Sequence, residues 1–474
     1  MNNEELTEAQ KAYQEIERLR KPFTVYKDYK EYREEYYDYL WEKYMNIGND
    51  SRPMKDSGIA WIGEIPEHWD ISTINTLYTV RNEKVNDRDF PPLSVTMKGI
   101  VPQLETAAKT DAHDSRKLVK KGDFAINSRS DRRGSCGISD FDGSVSLINT
   151  VLTPRGKMHP VYYNWLFHSS RFSEEFYRWG HGIVDDLWTT RWQEMRNITI
   201  PVPSFDEQQK IASHLDRKCT QIDSLIANVQ QQIEKLKAYK QSVITETVTK
   251  GLNPDAPMKD SGIEWIREIP KHWTITKIKN GVTKVGSGKT PLGGAEAYSS
   301  EGVLFLRSQN IYDEGINLDS PTYITNTTDE EMKSTRVKPY DVLLNITGGS
   351  IGRCCIFPPE LEKANVNQHV SIIRVIDSIF TPDYMHYYWN SNIGKMSISL
   401  YQTGGNREGM SADAIKNSPI MVIPIQEQKA ISDFLNSKCS QINKLISLKQ
   451  QKIEKIQQYK KSLIYEYVTG KREV

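Results

Sequence analysis

Several residue patterns that define common protein classes are absent from this sequence of 474 residues. Its five cysteines form no CxxC pair, so neither a zinc ribbon nor a thioredoxin-like motif is expected. It has no apolar run of about 18 residues, and the polar start MNNEELTEAQ is unlike a secretory signal peptide. The formal net charge of +1 argues against a histone-like DNA coat but not against local basic patches. We therefore expect a soluble cytoplasmic protein of several domains.

Catalytic motifs are also missing. The nine histidines form no HExxH pair, and neither a GxSxG elbow nor an NPPY-like tetrapeptide of adenine methyltransferases occurs. VGSGKT at 285–290 is close to a phosphate-binding loop, but the first glycine of that motif is replaced by Thr283. We expect a glycine-rich turn there, whose Lys289 contacts a phosphate; a nucleotide-dependent enzyme that uses Gly286–Thr290 is the alternative. The sequence thus predicts no catalytic residue, no metal site and no cofactor bound by this chain.

The most informative feature is an internal repeat. MKDSGIAWIGEIPEHW at 54–69 recurs at 258–273 with three changes in sixteen positions, and we call it the MKDSGI motif. EQQKIASHLDRKCTQIDSLI, from Glu207, recurs from Glu427 as EQKAISDFLNSKCSQINKLI. The intervening segments 70–200 and 274–422 share little similarity. The chain is therefore predicted to be a tandem duplication of the MKDSGI motif, a variable domain and a long helix.

The repeated helices have the heptad spacing of a coiled coil. The predicted seam consists of Leu215, Ile222, Val229, Leu236 and Val243 in the first copy and Leu435, Ile442, Ile456 and Leu463 in the second. The adjoining stripe is predicted at Leu225, Ile226, Ile233 and Tyr239 in the first copy and at Leu445, Ile446, Ile453 and Tyr459 in the second. Gln232 and Lys449 interrupt the seam. If the two seams pair, connectivity requires antiparallel helices with a domain at each end and a pseudo-twofold axis. Ordinary buried bundle helices are the alternative.

The predicted fold class is α+β, with two strand-rich domains separated by two long antiparallel coiled-coil helices. Each domain is expected to contain a twisted antiparallel sheet. Trp61, Trp69, Trp265 and Trp273 are expected in the core where each domain begins. The predicted divisions are 1–53 (a helical, tyrosine-rich extension), 54–203 (first domain), 204–251 (first helix), 252–422 (second domain) and 423–474 (second helix). The extension either docks on the basic segment 423–474 or binds a protein partner.

Polar and basic clusters in the variable domains are the candidates for function. In the first domain Lys120, Lys121, Arg129, Arg132 and Arg133 are suited to neutralise phosphates, and Asn127 and Ser128 to reach base edges. The candidates in the second domain are Lys289, Arg307, Ser308, Gln309, Asn310, Arg353, Gln368, Asn406 and Arg407. Arginine, asparagine and glutamine make bidentate contacts to guanine and adenine. For each cluster alone, a solvated surface loop is the alternative.

The two MKDSGI motifs, each followed by a long repeated helix, resemble the specificity (S) subunits of type I restriction–modification systems over about Met54–Thr469. SRSDRRGSCGISDF with VSLINTVLTP, and TGGSIGRCCIFP with NQHVSIIRV, look like the core strands of that family's target-recognition domains. The resemblance implies non-catalytic recognition of a bipartite site in double-stranded DNA, with one half-site read by each domain.

The resemblance also implies partner subunits. Two modification (M) subunits would bind the conserved helices and methylate adenine N6 with S-adenosylmethionine, and restriction (R) subunits would use ATP and Mg²⁺. A coiled-coil scaffold that binds only proteins is the alternative.

Overall fold

A computed structural model describes residues 52–104, 115–129, 132–182, 188–402 and 409–474. These residues belong to two compact units. One contains the residues up to Ser224 together with Lys455–Val474, and the other is Leu225–Glu454. Each unit combines one strand-rich domain with a section of both long helices. All but the last two residues of the predicted extension at 1–53 lie outside the described residues.

The first domain contains short strands and short helices. Its strands are β1 (Met54–Asp56), β2 (Glu64–Pro66), β3 (Asp70–Thr73), β4 (Tyr78–Val80), β5 (Lys84–Val85), β6 (Leu93–Thr96), β7 (Gly99–Pro102), β8 (Arg116–Val119), β9 (Phe124–Asn127), β10 (Cys136–Ile138), β11 (Gly143–Val145), β12 (Asn149–Pro154) and β13 (Thr199–Val202). Its helices are α1 (Ile74–Leu77), α2 (Pro160–His168), α3 (Ser170–Arg178) and α4 (Trp192–Met195). The long helix α5 (Phe205–Lys250) follows.

The centre of this domain is a four-stranded antiparallel sheet in the order β10-β9-β12-β4. Every residue of β9, sequence FAIN, is buried, because the strand is covered on both faces. Aromatic side chains fill the space between the sheet and α2, with the rings of Phe124 and Phe167 4.9 Å apart. The other sheets of this domain are β11-β8-β5 and the two-stranded pairs β6-β7, β1-β2 and β13-β3.

The second domain has a similar inventory. Its strands are β14 (Met258–Asp260), β15 (Glu268–Pro270), β16 (Thr274–Lys277), β17 (Val282–Ser287), β18 (Tyr298–Ser299), β19 (Val303–Leu306), β20 (Ile311–Tyr312), β21 (Gly315–Ile316), β22 (Tyr323–Ile324), β23 (Arg336–Val337), β24 (Val342–Asn345), β25 (Cys354–Ile356), β26 (Ala364–Val366), β27 (Val370–Val375) and β28 (Pro419–Val422). Its helices are α6 (Asn326–Glu331), α7 (Pro382–Asn390), α8 (Asn392–Tyr401) and α9 (Ala412–Asn417). The long helix α10 (Ile425–Val468) follows.

The central sheet of the second domain has the order β25-β24-β27-β17, which is the order of the first domain repeated. Its five-stranded neighbour, β18-β22-β19-β26-β23, contains a parallel pair, β19 with β26. The antiparallel sheet predicted for this domain is its central sheet, and the parallel pair is an addition in the neighbouring sheet. A parallel pair requires a long connection between its strands, and the segment from β20 to β25 separates β19 from β26 in the chain.

The duplication extends to helix caps and side-chain hydrogen bonds. α2 and α7 both begin with proline at the first helical position, and α3 and α8 are both capped by a serine hydroxyl. The indole N–H of Trp69 donates to Glu207 (2.9 Å), and that of Trp273 donates to Glu427 (3.2 Å). Trp61, Trp69 and Trp273 are buried and Trp265 is partly buried, as predicted for the start of each domain.

The long helices run antiparallel, as predicted. In the first unit Lys460 pairs with Asp223 (2.6 Å), while in the second unit Lys449 contacts Gln232 and Asn443 contacts Lys240. Residue numbers therefore rise along α5 while they fall along α10. Seam residues that are fully buried are Leu215, Ile222, Val229, Leu435, Ile442 and Leu463, whereas Leu236, Val243 and Ile456 are partly buried.

The prediction for the adjoining stripe is wrong at Leu225, Tyr239 and Leu445. Of its other members, Ile233 is buried, and Ile226, Ile446, Ile453 and Tyr459 are partly buried. Leu225, Tyr239 and Leu445 are among the exposed large apolar residues, with Leu225 44% and Leu445 47% exposed. A two-helix pair buries a narrow stripe, and these positions fall outside it. Ser204 and Glu207, which open the first long helix, form a capping box: the amide N–H of Glu207 donates to Ser204 Oγ (3.3 Å), and that of Ser204 donates to Glu207 Oε2 (3.1 Å).

Candidate nucleic-acid interface

Some candidate residues of each domain lie in an equivalent hairpin loop. This loop connects β9 to β10 in the first domain and β24 to β25 in the second. Asn127 N–H donates to Ser135 O and Asn345 N–H to Arg353 O, each at 2.8 Å. Gly134 and Gly352 occupy equivalent positions with φ of 72° and 88°, a conformation that side chains other than glycine rarely adopt. The fold therefore presents one loop of matching geometry, with different side chains, in each domain.

In the first domain, two of the predicted base-contacting residues hold the loop instead. Asn127 and Ser128 are 8% and 5% exposed. Asn127 Oδ1 accepts a hydrogen bond from Arg129 N–H (3.0 Å), and Ser128 Oγ is bonded to Thr150 Oγ1 (3.0 Å). Since these groups are buried and engaged, the prediction that they reach base edges is wrong.

Arginines supply the exposed charge of this loop. Arg129, Arg132 and Arg133 are all exposed. Arg133 Cζ lies 3.6 Å from the centroid of the Tyr177 ring on α3, which is a close cation–π contact. Neither Arg129 nor Arg133 forms an ion pair with a carboxylate in the described part of the chain. Among the described residues, Arg129 and Arg133 therefore carry positive charge that no carboxylate pairs with.

The structure does not bring Lys120 and Lys121 into this group. They lie in the turn that precedes β9, whereas Arg129 follows the end of that strand. Four strand residues at roughly 3.3 Å each separate the two ends by more than about 13 Å. Asp142 Oδ1 accepts a hydrogen bond from Lys121 N–H (2.7 Å), so a carboxylate lies next to these lysines.

In the second domain the structure places Lys289 beside Gln368. Lys289 N–H donates to Val366 O (3.2 Å), and Thr290 Oγ1 donates to Gln368 Oε1 (2.5 Å). A Cβ on Gly288 would lie 1.9 Å from Val366 O, so this close approach requires glycine. The strand β17 ends at Ser287 without leading into a helix. The segment therefore lacks the geometry of a phosphate-binding loop that opens a helix.

The turn after β19 contributes Arg307, Ser308 and Gln309. Asn345 Nδ2 donates to Ser308 O (2.8 Å) and ties this turn to the end of β24. Asn310 is buried; its Oδ1 accepts from Arg307 N–H (3.0 Å) and its Nδ2 donates to Asn317 O (2.9 Å). The prediction that Asn310 contacts DNA is therefore wrong, because its polar groups stabilise the turn.

Arg353 and Arg307 lie over aromatic rings. Arg353 Cζ is 4.5 Å from the centroid of the Tyr312 ring, and Arg307 Cζ is 5.6 Å from that of Tyr298. The predicted contacts Asn406 and Arg407 lie outside the described residues.

Comparison with known proteins found a matching family model and similar chains. The family model described as Type I restriction modification DNA specificity domain matches residues 270–458. The MjaVIII type I restriction enzyme specificity subunit of Methanocaldococcus jannaschii is 25% identical over 422 residues, which cover 86% of this chain and 93% of the relative. The putative MjaX specificity subunit of the same organism is 24% identical over 441 residues, 86% of this chain and 95% of the relative. Over most of its length the chain is thus similar to type I restriction enzyme specificity subunits.

A solved chain from a structural study of complex assembly and conformational transition in a type I restriction–modification system has the same fold. It aligns with a TM-score of 0.64 at 13% identity and covers 85% of this chain and 98% of its own length. The match at 270–458 corresponds to most of the second domain and much of α10, while the two relatives from Methanocaldococcus jannaschii extend over both copies.

Sequence patterns do not reveal the aromatic rings near the loop arginines. Tyr177, Trp188 and Tyr312 were not singled out, and Tyr177 is 44 positions from Arg133 in the sequence. The heptads and the MKDSGI motif are local patterns, whereas this contact depends on how α3 packs against the sheet. No pattern in the sequence alone indicates it.

No helix among the described residues has the length and apolar character needed to cross a membrane. In the same residues, histidine, cysteine and carboxylate side chains form no group that could hold a metal ion. All five cysteines are buried and reduced, and burial raises the pKa of the Cys355 thiol to about 12.

Proposed function

We propose that this chain is the DNA sequence-recognition subunit of a type I restriction–modification complex and that each strand-rich domain reads one half-site of a bipartite target. The observation that carries the proposal is the pair of equivalent hairpin loops, each with exposed or partly exposed arginine. The loops share backbone geometry but differ in side chains, Arg129 and Arg133 in one domain and Arg353 in the other. Two half-sites of different sequence are therefore expected.

The exposed groups divide into two kinds of DNA contact. Lysine and arginine that pair with no carboxylate among the described residues, such as Arg129 and Lys289, are suited to phosphates and to salt-dependent affinity. Side chains with paired donors or acceptors, such as Gln309 and Gln368, are suited to base edges in the major groove. Asn127, Asn310 and Asn345 hold the loops in place.

We further propose that the long helices bind two M subunits. Leu225 and Leu445 occupy equivalent positions of the two repeats, 220 residues apart, and both are exposed apolar side chains. Two equivalent apolar positions on duplicated helices fit two copies of one partner, since each copy meets the same surface. In this proposal the partners bind S-adenosylmethionine, ATP and Mg²⁺, and this chain contributes no catalytic group.

The test is a genomic map of N6-methyladenine from cells that express the chain with its M subunit, compared with cells that lack only this chain. We expect one bipartite motif to disappear from the second map. Replacement of residues 70–200 by the first domain of another specificity subunit should change one half-site, and replacement of 274–422 should change the other. A change of both half-sites by either exchange would overturn the modular assignment. Identical maps in the first comparison would favour the protein-binding scaffold.

A further inference from the structure

Two arginines in the equivalent loops have the same unusual environment. Arg133 Cζ lies 3.6 Å from the centroid of Tyr177, and Arg353 Cζ lies 4.5 Å from that of Tyr312. Strand register equates Cys136 with Cys354, because these residues pair with Ile126 and Leu344 in matching strands. Arg133 therefore precedes, and Arg353 follows, the equivalent glycine of its loop. The two domains place an arginine on a tyrosine at this loop by different contacts.

Each tyrosine is held by its own surroundings. The indole N–H of Trp188 donates to Tyr177 O (2.8 Å), and the two rings lie 5.6 Å apart. A Cβ on Gly180 would come within 2.4 Å of Trp188 Nε1, so the glycine lets Trp188 approach. In the second domain, Asp313 next to Tyr312 accepts a hydrogen bond from Cys354 N–H (3.1 Å), which ties the β20-β21 hairpin to β25. Both tyrosines are thus attached to the framework that carries the arginine.

Other arginines differ from Arg133 and Arg353 because they form ion pairs with carboxylates. Arg81 pairs with Asp123 (2.7 Å), Arg374 with Asp341 (2.6 Å) and Arg178 with Glu175 (2.6 Å). In the described part of the chain, no carboxylate pairs with Arg133 or Arg353. A carboxylate would occupy the N–H groups in the guanidinium plane, whereas a ring beneath the plane leaves them available.

We propose that Arg133 and Arg353 are the guanine-reading residues of the two domains, each positioned by its tyrosine to donate two hydrogen bonds to O6 and N7 of a guanine in the major groove. The inference rests on the proposed DNA-recognition function and adds the residue and the base in each half-site. Two parallel N–H donors match the two acceptors of guanine, which is the reason arginine discriminates this base. Arg307 is not assigned this role because its ring contact is longer, 5.6 Å, and its Nε is buried without a partner.

The phosphate group is the other DNA acceptor that fits a guanidinium edge, and lysine substitution separates the two. Lysine keeps the positive charge that a phosphate requires but lacks the planar pair of donors. Arg133→Lys and Arg353→Lys are therefore the informative variants. Arg171→Lys is the matched control, because Arg171 is an exposed arginine of α3 that pairs with Glu174 (3.7 Å).

The experiment selects bound duplexes from a library of randomised double-stranded DNA, with the full-length chain in complex with its M subunits. For Arg133→Lys we expect the preference for a G·C pair at one position of one half-site to fall by roughly 5- to 150-fold, with the other half-site unchanged. Arg353→Lys should do the same in the other half-site, and Tyr177→Ala should weaken the position that Arg133 reads. Arg171→Lys should leave both half-sites intact.

The unchanged half-site serves as an internal control for folding. Uniform weakening of all sequences with unchanged base preferences would show phosphate contacts and overturn the proposal. Loss of a preference for an A·T pair would also overturn it. If the wild-type complex selected no sequence at all, the proposed function itself would fail, an outcome distinct from the other two.

Discussion

Lys449 Nζ donates a hydrogen bond of 2.6 Å to Gln232 Oε1. These are the two polar residues that interrupt the heptad seams of the long helices, and the antiparallel arrangement brings them together. A second polar contact, Lys240 Nζ to Asn443 Oδ1 (2.9 Å), lies farther along the same helix pair. Polar partners within a coiled coil favour one register, because a shift of either helix separates them. The polar residues Gln232 and Lys449 therefore specify the register of the helix pair and do not only weaken it.

The Gln232–Lys449 contact predicts how stability responds to charge. Gln232→Lys places two positive charges together, and we expect the free energy of unfolding to fall by about 0.5–1 kcal/mol. Gln232→Glu should raise it slightly, since an ion pair replaces the neutral bond. Urea unfolding followed by helical circular dichroism measures both effects. The exchanged pair, Gln232→Lys with Lys449→Gln, should recover most of the loss; if it does not, the two residues are not partners.

The capping box predicts a dependence on pH. Partial burial raises the pKa of Glu207, but hydrogen bonds from Ser204, His68 and Trp69 outweigh it and lower the pKa from 4.5 to about 2. A carboxylate whose pKa is lower in the folded than in the unfolded state stabilises the fold at pH values above the unfolded-state pKa. This contribution is lost as the pH falls from 4.5 towards 2. We expect Glu207→Gln to lower the unfolding temperature near neutral pH. This difference should shrink as the pH falls below about 4.

Glu174→Gln is the control for this measurement, because Glu174 is an exposed carboxylate on the surface of α3. Its removal should cause little change at any pH. A difference between wild type and Glu207→Gln that stays constant from neutral to acidic pH would contradict the assigned role. The second helix offers a further comparison, since Pro424 stands where Ser204 stands in the first copy and cannot complete the box.

The long helices could be predicted from the sequence because their signals are local. Heptads, a capping box at Ser204 and Glu207, and a glycine after Lys250 each depend on residues a few positions apart. The duplication also predicts antiparallel helices, because of how the chain connects the two repeats. The apolar stripe was predicted too broadly, at Leu225 and Leu445, because a heptad pattern does not show how many partners surround a helix.

The candidate site was predicted less well, since side-chain burial depends on the sheet. Asn127 and Asn310 have the chemistry of base readers, yet the surrounding backbone takes up their donors and acceptors. Lys121 and Arg129 are close in sequence but lie at opposite ends of β9. Basic residues that are close in sequence form one surface patch only if no strand between them holds them at opposite ends.

This separation makes a prediction about salt. If Arg129 contacts a phosphate, Arg129→Ala should reduce the slope of log affinity against log salt by about 0.9. Lys120→Ala with Lys121→Ala removes two charges but should change the slope less, because the lysines lie beside Asp142 and away from the loop. Fluorescence anisotropy with a duplex that contains the selected target, at several salt concentrations, measures both slopes. A larger change in slope for the lysine double variant would indicate that DNA binds at the other end of β9.

Asn345 provides the sharpest test of how the second domain holds its reading loops. Its Nδ2 donates to Ser308 O (2.8 Å) and to Ser350 Oγ (3.2 Å), so one buried amide connects the turn after β19 with the loop after β24. Asn345→Ala leaves the Ser308 carbonyl without this donor, and we expect the free energy of unfolding to fall by about 1–3 kcal/mol. Asn345→Asp should be at least as costly, because it replaces a buried donor with a second acceptor or a charge.

The same variants should affect recognition in one domain only. At a temperature where Asn345→Ala remains folded, we expect base preferences to weaken in the half-site read by the second domain and to stay intact in the other. Asn127→Ala is the reciprocal control, since Asn127 Oδ1 accepts from Arg129 N–H in the equivalent loop (3.0 Å). It should weaken the first domain's half-site alone. If Asn345→Ala weakened both half-sites equally, the loss would reflect general destabilisation, and the amide would have no part in positioning the reading loops.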